Sequence, residues 1–257
     1  MMASDIHQWT ISLTDFVHDE SRRLIDNLPA EQREAVGSLQ QWSAKDELAH
    51  LVYWIEVLGS NIEAQIDGQP LTDTSDSLHM NDEAWHIRKD WTWEKVDNAL
   101  EQALSHVKEQ LTRLNSADLI DPQRFTIEYQ NDHPYPLLHS LVYDLIDHPV
   151  LHFTELYCKT EQAEKATALV ERTLVLLEQR GDPHLLTTTR YNAACTYAAV
   201  GNPSRALVLL HEAQTNDSSI GTTAKADTRL QSLWELSDFK VLVSRKPTSF
   251  IGNSYIK

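Results

Sequence analysis

The strongest constraint on this chain is the recurrence of apolar residues at every third or fourth position over long stretches. That period places apolar side chains on one face of an α-helix. No stretch of any length alternates apolar and polar residues as a strand would, and only 7 of the 257 residues are glycine. The sequence therefore predicts an all-α fold. Three of its long amphipathic helices are predicted over residues 6–28, 43–67 and 92–114.

Capping and breaking residues mark where these helices start and stop. Pro29 ends the first. Ser43, with Asp46 three positions on, has the spacing of a capping box and starts the second. Gly68 and Pro70 end that helix. The predicted helix ends are therefore set by residues that cap a helix or cannot continue one.

A fourth helix is predicted to begin near Leu137, after a polar loop at 118–136. Another polar loop is expected to separate the second helix from Thr92. Four helices that each bear one apolar stripe pack most economically as a bundle. We therefore expect a four-helix bundle over residues 1–158.

The segment after the bundle has a different pattern. Small residues at Ala194, Ala206 and Ala213 accompany Tyr197 and a helix-ending Gly201. This pattern resembles the tetratricopeptide repeat, in which two antiparallel helices approach closely. Where that family usually has tryptophan, this chain has Arg190.

A weaker copy lies forty residues earlier, where Tyr157, Glu161 and Ala166 repeat the same offsets. The end of the last bundle helix is thus expected to serve as the first helix of a repeat array. Residues 225–243 resemble the helix that closes such arrays. We predict repeat-like helices over 159–243 and a mobile tail over 244–257.

Charge narrows the range of partners. The chain carries 22 Lys and Arg against 38 Asp and Glu, a formal charge of −16. Such a field repels phosphate backbones and anionic lipid, so neither nucleic acid nor a membrane surface is an expected partner. There is no apolar run long enough to span a membrane and no signal-type start, and a cytoplasmic protein is expected. Cys158 and Cys195 are too few for a disulfide framework.

Two histidines, His148 and His152, lie four positions apart in the predicted fourth helix. On a continuous helix both rings project from one face, as two ligands of one metal ion do. With 12 histidines in the chain, one such pair is expected by chance about half the time, so two ordinary polar histidines remain the alternative. Pro149 either kinks the helix between the two or marks a restart at His148.

The residues around these histidines resemble the DinB superfamily of four-helix bundles, over about residues 5–158. The resemblance is carried by the block WSAKDELAHLVYW at 42–54, by a block around Asn81, and by the H-x-x-x-H pair near the end of the unit. The colibactin self-resistance-like (ClbS/DfsB) branch is the most similar.

The resemblance implies a divalent metal, zinc or nickel, held by His50, His148 and His152. Three imidazole ligands leave a coordination position for a reactant, which is typical of catalytic sites. The implied function is hydrolysis or thiol transfer on a small reactive molecule, in stress response or detoxification. The carboxylates within a turn of the ligands, and so expected to support them, are Glu47, Asp144 and Glu155.

The ClbS/DfsB branch implies detoxification inside the bundle cavity, with polar and aromatic lining residues. The candidates for that lining are Tyr53, Trp54, Asn81, Trp85 and His86. Among them Asn81 and His86, together with Glu47, are the candidate catalytic residues, whereas core packing is the simpler role for the two tryptophans.

A second reading makes the repeat array the working surface, a groove that binds a peptide or protein partner, with the bundle as platform. Asn192 is a candidate for such a groove. Homodimerisation through a long helix face is expected only by analogy with related bundles.

Overall fold

The structure of the protein is a computed structural model that describes residues 3–130 and 133–244. The described chain is mostly helical, as the apolar period predicts. Its only strands are Tyr129–Gln130 (β1) and His133–Pro134 (β2), which pair antiparallel. The expected tail lies, from residue 245, outside the described residues. No described helix is both long and apolar enough to cross a bilayer.

The helices follow one another along the chain and are separated by short connections. Their bounds are α1 Ala3–Asn27, α2 Ala30–Glu34, α3 Ala44–Ile66, α4 Ser77–Arg88, α5 Trp93–Thr112, α6 Ser116–Ile120, α7 Leu137–Val142, α8 His148–Lys159, α9 Ala163–Glu178, α10 Leu186–Ala199, α11 Pro203–Asn216, α12 Ile220–Ala226 and α13 Ser237–Ser244. A π-helical segment, Tyr143–Asp147, joins α7 to α8, and a 3₁₀ helix, Thr228–Leu233, joins α12 to α13.

Contacts divide the chain into two compact units, residues 1–149 and 150–257. The division falls inside α8, whereas the sequence prediction placed the domain boundary after residue 158. The long helices α1, α3 and α5 of the first unit pack side by side, with the π segment against α1 and α3. Their apolar stripes form its core, in which Leu13, Ile55 and Leu111 are essentially inaccessible to solvent.

The capping residues are confirmed. Ser43 Oγ accepts from the Asp46 N–H, and the Asp46 side chain accepts from the Ser43 N–H at 2.9 Å, a complete capping box at the start of α3. Gly37 passes so close that a Cβ there would lie 1.8 Å from the Asp46 carboxylate. Thr92 caps α5 in the same way, by accepting from the Lys95 N–H. The starts of these two helices are therefore set by local hydrogen bonds.

Two segments predicted as loops contain helices. Residues 68–91 hold α4, which is capped by Asp76 and packs on α3. Its buried residues are Met80, Ala84 and Arg88, while Leu78 and Ile87 are exposed, so it has no apolar stripe to recognise. Residues 118–136 include the end of α6 as well as β1 and β2. Packing and caps, rather than periodicity, form these elements.

The second unit contains the predicted helix pair. Helix α10 packs against both α9 and α11. The turn before α11 closes with a bond from the Asn202 N–H to the Tyr197 carbonyl at 2.8 Å, and the turn before α9 closes with the same bond from Gln162 to Tyr157 at 2.8 Å. The end of α3 closes with the same kind of bond, from the Gln69 N–H to the Ala64 carbonyl at 2.8 Å, so this turn is a common helix ending and is not specific to a repeat.

The segment expected to be one closing helix is instead broken into the end of α12, the 3₁₀ helix and α13. The break is at Asp227, whose carboxylate accepts from Tyr191 Oη at 2.8 Å and from the Arg229 side chain and N–H. These bonds hold Asp227 in an extended conformation that a continuous helix does not allow.

Candidate metal centre

Three histidines converge where α3 meets the start of α8. His50 lies two turns into α3, and His148 and His152 are one turn apart on α8. One ring nitrogen from each lies within 4.8 Å of the other two, and His50 Nε2 is 3.1 Å from His148 Nε2. The relation of His148 to His152 is fixed by the helix they share. The structure therefore brings together the three residues named as ligands.

The donor set fits a transition-metal ion. Two imidazole nitrogens at about 2.0–2.1 Å from one tetrahedral ion are about 3.3 Å apart, close to the 3.1 Å between His50 and His148. The 4.8 Å limit for the whole cluster is wider than two ligands of one ion span, so a ring must move inward when an ion binds. Among the described residues, no other cluster of three or more potential ligands of this kind was found. His50 is buried, whereas His148 and His152 are half-buried.

The π segment explains why His148 and His152 stay on one helical face although Pro149 lies between them. The His148 N–H donates to the Tyr143 carbonyl, five residues back, and α8 resumes at His148 with Pro149 second. Proline has no N–H to donate to the preceding turn, so a wider turn here sacrifices no bond that Pro149 could have made. His148 itself keeps a right-handed helical conformation, so it is not the cap of a restarted helix, and the imidazoles still converge.

Aromatic rings hold the imidazoles from two sides. Tyr143 stacks on His148 with ring planes 16° apart, and the Trp42 ring centroid is 4.8 Å from that of His50. Burial raises the pKa of Tyr143 to about 12, and the charges of Asp144 and other nearby carboxylates add to the rise. The Tyr143 phenol therefore stays neutral near pH 7.

Three carboxylates lie within about one helical turn of the histidines along the chain. Glu47, one turn before His50, is only 7 % exposed, while Asp144 and Glu155 are half-buried. Burial raises the pKa of Asp144 to about 8, and the negative charge of Glu128 raises it further. Asp144 is thus an acid that titrates near neutrality, next to the turn that carries His148.

The candidate lining residues separate into two groups. Trp54 donates from Nε1 to Asn81 Oδ1 at 2.9 Å, and its ring meets that of His50 edge-on at 6.4 Å. These residues therefore belong to the surroundings of the cluster. His86 is exposed on α4, where its ring contacts Trp85. The structure does not place His86 among the three histidines.

Sequence reasoning missed the cleft beside His50. Its cavity volume is about 10 Å³, room for about one water molecule, and its walls come from α3, α4 and the residues before α3. Its lining includes Arg88, which is only 8 % exposed and pairs with Glu56. The local sequence does not predict that Arg88 is buried, because α4 has no apolar stripe that would identify its buried face.

No protein-family model, curated protein or solved structure matches this chain.

Proposed function

We propose that this protein is a DinB-type helical bundle that binds a divalent metal, zinc or nickel, through His50, His148 and His152. The proposed activity is hydrolysis or thiol transfer on a small reactive molecule. The observation that carries the proposal is the convergence of three ring nitrogens within 4.8 Å from positions far apart in sequence.

When bound by three imidazoles, a divalent ion supplies Lewis acidity that polarises an electrophile and activates a nucleophile beside it. The residues of the chain bind the ion and position the reactants. His50, His148 and His152 act as neutral donors, held in place by Trp42 and Tyr143. Their half-buried side admits a small molecule.

Two of the candidate catalytic residues have roles that suit their surroundings. Glu47 lies one turn from His50, and we propose that its carboxylate accepts the proton of the attacking water or thiol. Asn81 uses Oδ1 to accept from Trp54, which leaves its amide N–H₂ to donate to a substrate oxygen. For His86 we propose no part in the reaction, because it is exposed beside Trp85.

The test is the metal content of protein purified without an affinity tag. We expect about one equivalent of metal in the wild type and a loss of most of it in His50→Ala, His148→Ala and His152→Ala. His79→Ala is the matched control, because His79 is exposed on α4 and pairs with Glu83. Equal metal content in the wild type and the three ligand variants would overturn the proposal.

Activity is tested with the same proteins on an activated ester, and on a chlorinated aromatic electrophile in the presence of a thiol. Ester turnover that disappears with the ligands indicates hydrolysis, and aryl thioether formation indicates thiol transfer. Turnover that is unchanged in His148→Ala would contradict a metal-dependent reaction.

A repeat-type interaction module is the second candidate, and the packing of α10 against both α9 and α11 is the observation that favours it. In that case the surface of α10 around the half-buried Asn192 would bind a peptide. A peptide selected against the wild type would then bind His148→Ala equally well and Asn192→Arg poorly. Equal binding to both variants would overturn this second candidate.

A further inference from the structure

Helix α4 covers one side of His50. The cleft between them has a volume of about 10 Å³, and Ala84 and Trp85 of α4 line it together with His50. That is room for about one water molecule, and His50 itself is only 7 % exposed. No reactant larger than water therefore reaches His50 through this cleft unless α4 moves.

Little apolar surface holds α4 on α3. The buried residues of α4 are Met80, Ala84 and Arg88, and the last of these is charged. Leu78 and Ile87, its large aliphatic side chains, already face solvent with 78 % and 65 % exposure. Lifting α4 would expose little new apolar surface, so hydrophobic burial opposes the movement only weakly.

The closed position also encloses N–H donors. Trp42 Nε1 and Trp85 Nε1 are buried without a hydrogen-bond acceptor in the part of the chain that the structure describes. An enclosed donor without an acceptor raises the free energy of the conformation that encloses it. Water that enters as α4 lifts can accept from these groups, which lowers the free-energy cost of opening.

The C-terminal end of α4 is clamped to α3. Arg88 pairs with Glu56 at 2.5 Å, and its guanidinium lies 4.9 Å from the Tyr53 ring centroid. Lys45 Nζ donates to the Trp91 carbonyl, just beyond this end, at 2.7 Å. These contacts all come from α3 side chains, so they fix the end of α4 as a pivot.

The N-terminal half of α4 is held by a side-chain bond to α3. Asn81 Oδ1 accepts from Trp54 Nε1 at 2.9 Å. The chain before α4 is tied to α3 at Thr72, whose N–H donates to Asn61 Oδ1 at 2.8 Å. Residues 73–76, between this tie and α4, lie outside any helix or strand and span about 13 Å when extended. This link lets the N-terminal half lift while the other end stays in place.

We propose that α4 is a lid over His50, with the Trp54–Asn81 bond as its latch and the clamped end at Arg88 as its pivot. When the latch opens, the N-terminal half of α4 lifts, and solvent and small molecules reach His50. The lid regulates access to the proposed metal centre, so its purpose rests on the proposed function. The movement itself needs no metal.

The test is the rate at which diethyl pyrocarbonate, which acylates neutral imidazole, modifies His50 in the full chain. Peptide mass spectrometry measures it, with EDTA present throughout. We expect His50 to react much more slowly than the exposed His79. In Asn81→Ala it should react about 5-fold faster than in wild type, because the closed position loses one hydrogen bond. Asn81→Asp keeps an acceptor of the same shape for Trp54 and should react at the wild-type rate.

Asn115→Ala is the matched control, because Asn115 is also a side-chain acceptor but caps α6, which packs on α1 and α7. It should leave the His50 rate unchanged. The lid is wrong if Asn81→Ala reacts like wild type, if Asn81→Asp or Asn115→Ala reacts as fast as Asn81→Ala, or if wild-type His50 reacts as fast as His79. Because EDTA keeps the protein free of metal, this result does not depend on the metal-content test, and either proposal can fail alone.

Discussion

At the scale of single residues, burial determines what the polar groups near the centre can do. Asp144 and Tyr143 precede His148 by one turn, and burial raises the pKa of each, to about 8 and about 12. Cys195 in the second unit is also shifted, to about 12, mainly by burial. Its thiol is therefore inert at neutral pH, which agrees with the packing role that its small apolar neighbours suggest.

The raised pKa of Asp144 makes stability depend on pH. Below about pH 4 the carboxyl is protonated in both the folded and the unfolded chain. As pH rises, the unfolded chain ionises first, so the folded state loses relative stability until the pH passes about 8, the folded pKa. Asp144→Asn removes this loss.

We therefore expect Asp144→Asn to gain about 1–3 kcal/mol over wild type between pH 4 and pH 8.5, below the full linkage because the residue is partly accessible. Urea unfolding with EDTA present measures it. Asp90→Asn, at an exposed position, is the control. A constant difference between Asp144→Asn and wild type across this range would show that the buried pKa is not raised.

At the scale of elements, the two related turns differ at one position. Gly201 has φ +79° and Glu161, its counterpart forty residues earlier, has φ +58°, the only described non-glycine residue with positive φ. Glycine adopts this conformation freely, whereas a side chain costs about 1–2 kcal/mol there. A Cβ at Gly201 would meet no atom within 4 Å, so the cost at that site is a backbone cost alone.

Glu161→Gly should accordingly stabilise the chain, by about 0.5–1 kcal/mol after the extra chain entropy of glycine is subtracted. Gly201→Ala should destabilise it by about 1 kcal/mol. Chemical denaturation of the two variants beside wild type checks both signs. Opposite signs for the pair are the expected result, and a loss of stability in Glu161→Gly would show that the two turns are not equivalent.

The π segment is an element that no local pattern announces. From Pro149 the sequence predicted either a kink between His148 and His152 or a helix that restarts at His148. The structure resolves it with a turn in which His148 bonds to Tyr143. Such a turn is stable only because the buried Leu145 and Ile146 pack against neighbouring helices, which periodicity cannot report.

At the scale of the whole molecule, the formal charge of −16 favours cations over anions in general. A divalent ion is thus attracted to the protein before any ligand contact is made.

Metal binding should stabilise the fold measurably. At zinc 100-fold above Kd the gain is about 2.7 kcal/mol, which in a chain of this size raises Tm by about 5–10 °C. Thermal unfolding with and without zinc measures this. His79→Ala should show the same shift as wild type, and His148→Ala none. A shift that survives in His148→Ala would place the zinc elsewhere.

The sequence by itself determined the helices whose apolar stripes recur every three or four residues, the cap at Ser43, the repeated turns around 161 and 201, and the pairing of His148 with His152 on one helical face. Each of these features depends on residues that lie close together in the sequence. Tertiary structure decided the rest. It brought His50 to His148 across 98 residues, formed α4 on α3, set the π turn, and buried the charged Arg88 beside α3. Such contacts depend on which helix faces meet, and packing of the whole core chooses those faces.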